Sequence, residues 1–391
     1  MRWRRLTGAV VTRPVVMRPV VVGLVVMMAS VSCEGPTAPT APITSPPVGG
    51  ALASLLASSS AGGWRTLGDD AFEVWVCHVP ADTTAAIYGG LPLRLPLTPT
   101  AVTEVVSARV QSYFAQLSHG QYRPVFSAGG EVTIAPDDEP QACVDAAIAG
   151  AGDNAEAVLV VADAEHDADH PGGFGSGGDP CPTEAPCPVF ISRRAAYVGA
   201  NDFGPEWANA PPLDLVEHEI GHTLGWVHSG IDEAGRYLSG LDLMSNSAAP
   251  REVDPTRRDA PGTLAVNLLL AGWLPAADVV ELASGEVDVT LAPSSGELGT
   301  RMIVLDRGGG PVYTVELLTD DGLDGHLPAA GVAVHEVGLA DGSILQIVPM
   351  IGEPPYTDLL QPGERYVVDG WEIGVDADFI VHLLDQSTLD R

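Results

Sequence analysis

The sequence predicts an α/β domain built around a short histidine-rich helix, followed by a β-rich C-terminal domain with a sandwich-like pattern. Three observations predict it. Residues 99–118 repeat apolar side chains at helical spacing (Val102, Val106, Val110, Phe114, Leu117) between two strand-like runs, FEVWVCHV at 72–79 and AVLVVAD at 157–163. The stretch HEIGHTLGWVHS, residues 218–229, gathers three of the ten histidines. Beyond residue 278 the pattern changes to short β-branched runs broken by Gly, Pro and Asp.

Taken in order, residues 1–33 read as an export signal. Arg2, Arg4, Arg5, Arg13 and Arg18 precede the apolar run PVVVGLVVMMASVS, which is short for a membrane span and ends at Cys33. SVSC is similar to a bacterial lipoprotein processing site and makes Cys33 the candidate lipid acceptor. Ser30 departs from the leucine usual there, and cleavage elsewhere, releasing a soluble protein, is the rival reading. Residues 34–63 are rich in Pro, Thr, Ala, Ser and Gly and read as a disordered tether. The expected location is therefore extracellular or at the cell surface, with membrane contact only through an N-terminal lipid.

Folded sequence is expected from residue 64. Strands are expected at 72–79, 132–134, 157–163 and 188–193, and the catalytic-type domain at 64–277. The C-terminal domain, 278–391, contains EVDVTLAP, TRMIVLDR, PVYTVELLT, GVAVHEVG, SILQIVPM and WEIGVDADFIVHLL. Without Cys33, four cysteines remain. The expected disulfides are Cys77 with Cys143 and Cys181 with Cys187.

The charge balance narrows the partners. With 51 acidic against 19 basic residues, every one of the latter arginine, the surface repels phosphate backbones, so nucleic acid is excluded as a partner.

The chemistry lies in the histidines. His218 and His222 are four apart, one turn along a single helix face, and can share one ion. Pro211 and Pro212, with Asp214 and Glu217, read as the helix start. Gly225 reads as the stop, a residue that tolerates the left-handed conformation and lets the chain return His228 to the same point. Three neutral imidazoles suit Zn2+ and leave a coordination position open for water. Glu219 sits off the two-histidine face, placed as a general base rather than a ligand.

HExxHxxGxxH resembles the zinc signature of the metzincin metalloproteases. The resemblance implies a metzincin-like catalytic domain, a twisted sheet with a zinc-binding helix, and a methionine-containing turn under the metal. LDLMSNS places Met244 in that turn. Flanking segments at 113–126, 267–282 and 322–337 are similar to gametolysin-like secreted bacterial peptidases. Some metzincins carry a tyrosine two residues after the methionine; Asn246 stands there in this chain, and the sequence identifies no substitute.

A weaker motif is DAEHDADHPGGFGSGGD at 163–179. Asp163, His166, Asp167, Asp169 and His170 offer ligands for Ca2+ or a second zinc; the alternative is a solvated glycine-rich loop. The expected function is an exported zinc endopeptidase acting on protein or peptide substrates. The alternatives are a non-catalytic surface binding lipoprotein on the same scaffold and a cell-wall peptide hydrolase. Sequence leaves the oligomeric state open.

Overall fold

The computed structural model describes residues 50–61, 66–80, 94–135, 138–164, 172–177, 193–204, 207, 210–232, 234–308, 310–339, 342–348 and 351–388. The export signal with Cys33, the tether up to residue 49, His166, Asp167, Asp169, His170, Cys181, Cys187 and most of the strand expected at 188–193 lie outside the described residues.

In chain order the elements are helix α1 (Ala51–Ala61), β1 (Gly68–His78), α2 (Pro99–Leu117), β2 (Tyr122–Thr133), α3 (Pro140–Gly150), β3 (Ala157–Ala162), β4 (Gly173–Ser176), β5 (Arg194–Val198), α4 (Asp214–Thr223), β6 (Ser229–Gly230), α5 (Ala249–Val253) and α6 (Ala265–Leu270). There follow β7 (Val279–Leu282), β8 (Glu286–Thr290), β9 (Met302–Leu305), β10 (Val312–Leu318), β11 (Gly331–Val337), β12 (Ile344–Gln346), β13 (Arg365–Val368), β14 (Trp371–Val375) and β15 (Ile380–Asp385).

The first sheet has the order β2-β1-β3-β5-β4. Its first four strands are parallel, and β4 runs antiparallel at the edge beside β5. Both faces are covered, so β3 is apolar at every position. Val158 and Val160 face α3 with Cys77 and Cys143, whereas Leu159 and Val161 face the main core under α2 and α4. The disulfide expected between Cys77 and Cys143 is present and fastens α3 to β1.

Two expectations are corrected here. Residues 51–61, read as part of a disordered tether, form α1, because Ala51, Leu52 and Leu55 bury one face in the main core. The Ala/Leu run is a good helix former whose signal was diluted by its Pro- and Gly-rich neighbours. Residues 173–176, read as part of a loop, form β4; two glycines in four residues hide a strand from propensity.

The β-rich portion contains a six-stranded sheet, β6-β12-β11-β10-β9-β7, and a four-stranded sheet, β13-β14-β15-β8. One apolar cluster draws on both, with Ile303, Val315 and Val334 from the first and Trp371, Ile373 and Val381 from the second. The other face of the six-stranded sheet, through Met302, Val304, Val312 and Ile344, enters the main core below the α/β portion. The sheet takes β6 as its edge strand, and β6 begins one residue after His228. Residues 46–391 form one compact unit.

At the start of the first sheet, Arg194 donates to Asp70 at 2.8 Å and the Tyr122 hydroxyl donates to the same carboxylate at 2.7 Å. All three side chains are buried. Removing one partner strands a buried charge, which costs about 3–5 kcal/mol. Arg194→Ala is therefore expected to lower unfolding free energy by that amount in a urea titration. A loss below about 1 kcal/mol, the range of an exposed pair, would contradict this account.

Candidate metal centre and cleft

Helix α4 starts after Leu213, which makes no side-chain cap. Asp214 and Glu217 occupy the first turn as expected, but not as a capping box. Asp214 is buried against the Arg251 guanidinium, with Nε 3.1 Å from Oδ1, and Glu217 accepts from the Ala260 N–H at 2.7 Å. These contacts pin the helix start to the 250–260 segment.

The helix ends where Gly225 was expected to end it, at φ 84°. The Gly225 N–H bonds to the His222 carbonyl at 3.0 Å and the Trp226 N–H to the Gly221 carbonyl at 3.2 Å, the paired bonds of a Schellman turn. The turn aims the Trp226 carbonyl back at the helix, where it accepts from His222 Nδ1 at 2.8 Å. The His218 Nδ1 donates in the same way to the Leu243 carbonyl at 2.7 Å. With Nδ1 carrying the proton in both rings, each Nε2 presents a lone pair.

Those lone pairs converge. His218, His222 and His228 each offer a ring nitrogen, all within 4.8 Å of one another, and His222 Nε2 lies 3.0 Å from His228 Nε2. Zinc–nitrogen bonds of about 2.0–2.1 Å in a tetrahedron separate the nitrogens by roughly 3.3 Å, so the donor set fits such an ion with small adjustments. Burial lowers all three basicities, to about 3 for His218 and about 4 for His228, each also disfavoured by the neighbouring His222. The rings are neutral at pH 7, the form that binds metal.

Glu219 points elsewhere on the helix and is 3% exposed. Among the described residues its Oε2 has no hydrogen-bond partner. Burial alone pushes its carboxyl well above the ordinary range. A buried carboxyl and three convergent ring nitrogens on one cleft are a set that a cation would balance.

Met244 is fully buried beneath the helix. A Cβ at Gly221 would sit 2.5 Å from its sulfur, so the helix needs glycine there to rest on the methionine. The two carbonyls around it do further work: Leu243 holds His218, and Met244 accepts from the Ser229 N–H at 3.0 Å. Next to them, Asp242 accepts from the Ser229 hydroxyl at 2.5 Å and the Thr263 hydroxyl at 2.7 Å. Asp242 escaped the sequence reading although it lies two residues before Met244; nothing in its spacing marks it.

The centre opens into a cleft of about 510 Å³ whose wall includes Gly173, Phe174, Gly175 and Tyr237. An adjoining hollow of about 430 Å³ lies past His222 and His228, bordered by Val227, Arg236 and Ile344. Tyr237 was also missed. Its hydroxyl is 3.3 Å from His228 Nε2 and its ring meets the His228 ring edge-to-face at 4.9 Å. Burial and the charge of Glu219 raise its hydroxyl above the ordinary range, so it stays protonated. It stands nine residues after His228, where no motif looks for it.

Asp163, expected in a second metal loop, is instead engaged: it accepts from the Val79 N–H at 3.0 Å, from Arg94 at 2.6 Å and pairs with His78 at 3.0 Å. Among the described residues, the three histidines form the one cluster with metal-ligand geometry. Asn246, at the position two residues after Met244, turns to Glu252 rather than to the histidines.

No protein-family model matches the chain, and no curated protein sequence matches it. Among solved structures, archaemetzincin from Methanopyrus kandleri is similar over 52% of this chain and 94% of that one, with 16% identity and a TM-score of 0.28.

Strand β4 lies directly on α4. A Cβ at Gly175 would fall 2.3 Å from the Glu219 carbonyl oxygen and 2.6 Å from His222 Cβ. Gly175→Ala is expected to push the strand off the helix, costing about 1–3 kcal/mol of stability and weakening zinc binding. Gly310, with nothing near its Cβ position, is the control: Gly310→Ala should leave both unchanged. Denaturation and zinc-competition titrations of the two variants check the contrast, and equal behaviour would refute the close-packing account.

Proposed function

We propose that the chain is an exported zinc-dependent endopeptidase of metzincin type that hydrolyses protein or peptide bonds. The observation that carries it is the convergence of three imidazole ring nitrogens on a cleft that also holds the buried Glu219, whose Oε2 has no partner among the described residues. His218, His222 and His228 would hold the zinc, which when bound polarises a carbonyl and lowers the pKa of a water to around 7.

The remaining chemistry belongs to the chain. Glu219 takes a proton from the attacking water and passes it to the departing amine nitrogen as the C–N bond breaks; its buried setting favours holding that proton between the two events. β4 is the edge of its sheet, and among the described residues its outer side pairs with no strand. A peptide laid along it as an added strand would run past the histidines, held by main-chain hydrogen bonds that tolerate varied side chains. The acidic surface favours basic or neutral substrates. The signal at 1–33 and the tether that follows would place the enzyme outside the cell, on a lipid at Cys33 or released. The β-rich portion is read as sandwich-like.

Glu219 also favours this reading over a purely binding role, because a scaffold gains nothing from a buried carboxyl oxygen that has no partner among the described residues. The test pairs metal analysis with cleavage of protein and cell-wall peptides by wild type and Glu219→Ala. About one zinc per chain is expected in both, with cleavage lost on chelation and reduced by about 10²–10⁴-fold in the variant. Zinc without cleavage of any substrate would return the chain to the scaffold reading. Absence of zinc from both proteins would remove the metal centre itself.

A further inference from the structure

We propose that Tyr237 is the group that stabilises the oxyanion formed when a peptide carbonyl is attacked in this cleft, the role left without a residue at Asn246. The inference rests on the peptidase reading above and names a further residue for it.

Tyr237 is 57% exposed, yet it is not loosely held. On one side the Arg236 carbonyl accepts from the Ser245 hydroxyl at 2.7 Å; on the other the Ser239 N–H donates to that Ser245 hydroxyl oxygen at 3.1 Å. The next carbonyl, Leu238, accepts from the Tyr356 N–H at 3.0 Å, and the Gly240 N–H donates to the Tyr356 carbonyl at 3.0 Å. The backbone on both sides of the tyrosine is thus clamped, by the residue after Met244 and by a strand-like pairing with 356. The ring is held against His228, and the hydroxyl reaches the nitrogen that faces the centre. With a cation held by that nitrogen, the hydroxyl would have no acceptor there. Its O–H would then be a free donor on the cleft that Tyr237 lines together with the histidines, Glu219 and β4. A donor fixed in advance where negative charge develops is worth about 10²–10³ in turnover.

The step balances without any further reactant. The water oxygen bonds to the carbonyl carbon, and the C=O π pair moves onto the carbonyl oxygen. Glu219 holds the water proton, and Tyr237 donates a hydrogen bond to the new oxyanion while keeping its own proton. When the carbonyl re-forms, the C–N bond breaks and the proton from Glu219 goes to the amine.

Tyr237→Phe removes only the hydroxyl and keeps the ring on His228, so folding is not at risk. In the full chain, kcat is expected to fall about 100-fold with KM changed less than about threefold. Zinc affinity in a competition titration should move less than about threefold. A peptide with a phosphinate in place of the scissile bond, which copies the tetrahedral oxyanion, should bind the zinc-loaded variant about tenfold or more weakly by calorimetry. The matching ground-state peptide should bind equally to the Glu219→Ala form and to the Glu219→Ala, Tyr237→Phe form, neither of which is expected to cleave it. Unchanged kcat and unchanged phosphinate binding would overturn the proposal, as would a zinc affinity lowered tenfold or more, which would make Tyr237 a ligand. Failure of the wild type to cleave anything would overturn the peptidase reading instead; the phosphinate comparison still judges Tyr237 in that case.

Discussion

The hydrogen bond from His218 Nδ1 to the Leu243 carbonyl is the constraint around which the rest of the centre is arranged. It sets which nitrogen carries the proton, hence which one faces its two partners. For it to form, residues 242–245 must pass under α4 at a fixed height, and Met244 fills that space with its sulfur close to where a Cβ at Gly221 would otherwise sit. The same short segment then holds the third histidine's chain through the Met244 carbonyl and the Asp242 carboxylate, both bonded to Ser229. A displacement of a few tenths of an ångström in this turn is therefore felt at His218 and His228 together.

The β-rich portion is part of that support. β6 begins at Ser229 and pairs with β12 at Ile344 and Leu345, so the chain leaving His228 is captured at once by the six-stranded sheet. A second link runs from the Ser239 hydroxyl to Gln346 Oε1 at 2.7 Å, while the Gln346 amide donates to the Asp358 carbonyl. Both segments flanking the Tyr237 loop are thereby tied to strands that come more than a hundred residues later. The short connection from His228 to Met244 has little regular structure of its own, and long-range pairing supplies the rigidity that a helix would otherwise provide.

How much of this was legible in the sequence depended on whether the signal was local. The helix at 99–117, the buried β3 and the placement of His218, His222, Gly225 and His228 follow from spacing, because helical period and turn chemistry act over a few residues. The pairing of Cys77 with Cys143 followed from the choice of a short loop for the other two cysteines. β4 was lost because Gly173 and Gly175 are selected by contact with α4, a tertiary demand that contradicts strand propensity. α1 was lost for the opposite reason, its apolar face being too short to stand out from a low-complexity surrounding. Asp242 and Tyr237 act through neighbours that only the fold brings near, so no reading of intervals could have found them.

The three histidines and Glu219 respond to pH in opposite directions. The imidazoles are held with basicities below their ordinary value of about 6.5, so the unfolded chain binds more protons there and their burial destabilises the fold only as pH falls below that value. Glu219 runs the other way. Its carboxyl is raised, so the folded chain binds more protons and the penalty grows as pH climbs above its ordinary value of about 4.5. At neutral pH the imidazoles are thus at ease and the strain is concentrated on Glu219. A divalent cation held by the three nitrogens would relieve that strain, since nearby positive charge favours the carboxylate. On the proposed reading, loading the histidines and readying Glu219 as the base would be a single event, because the helix places His218 and Glu219 one residue apart.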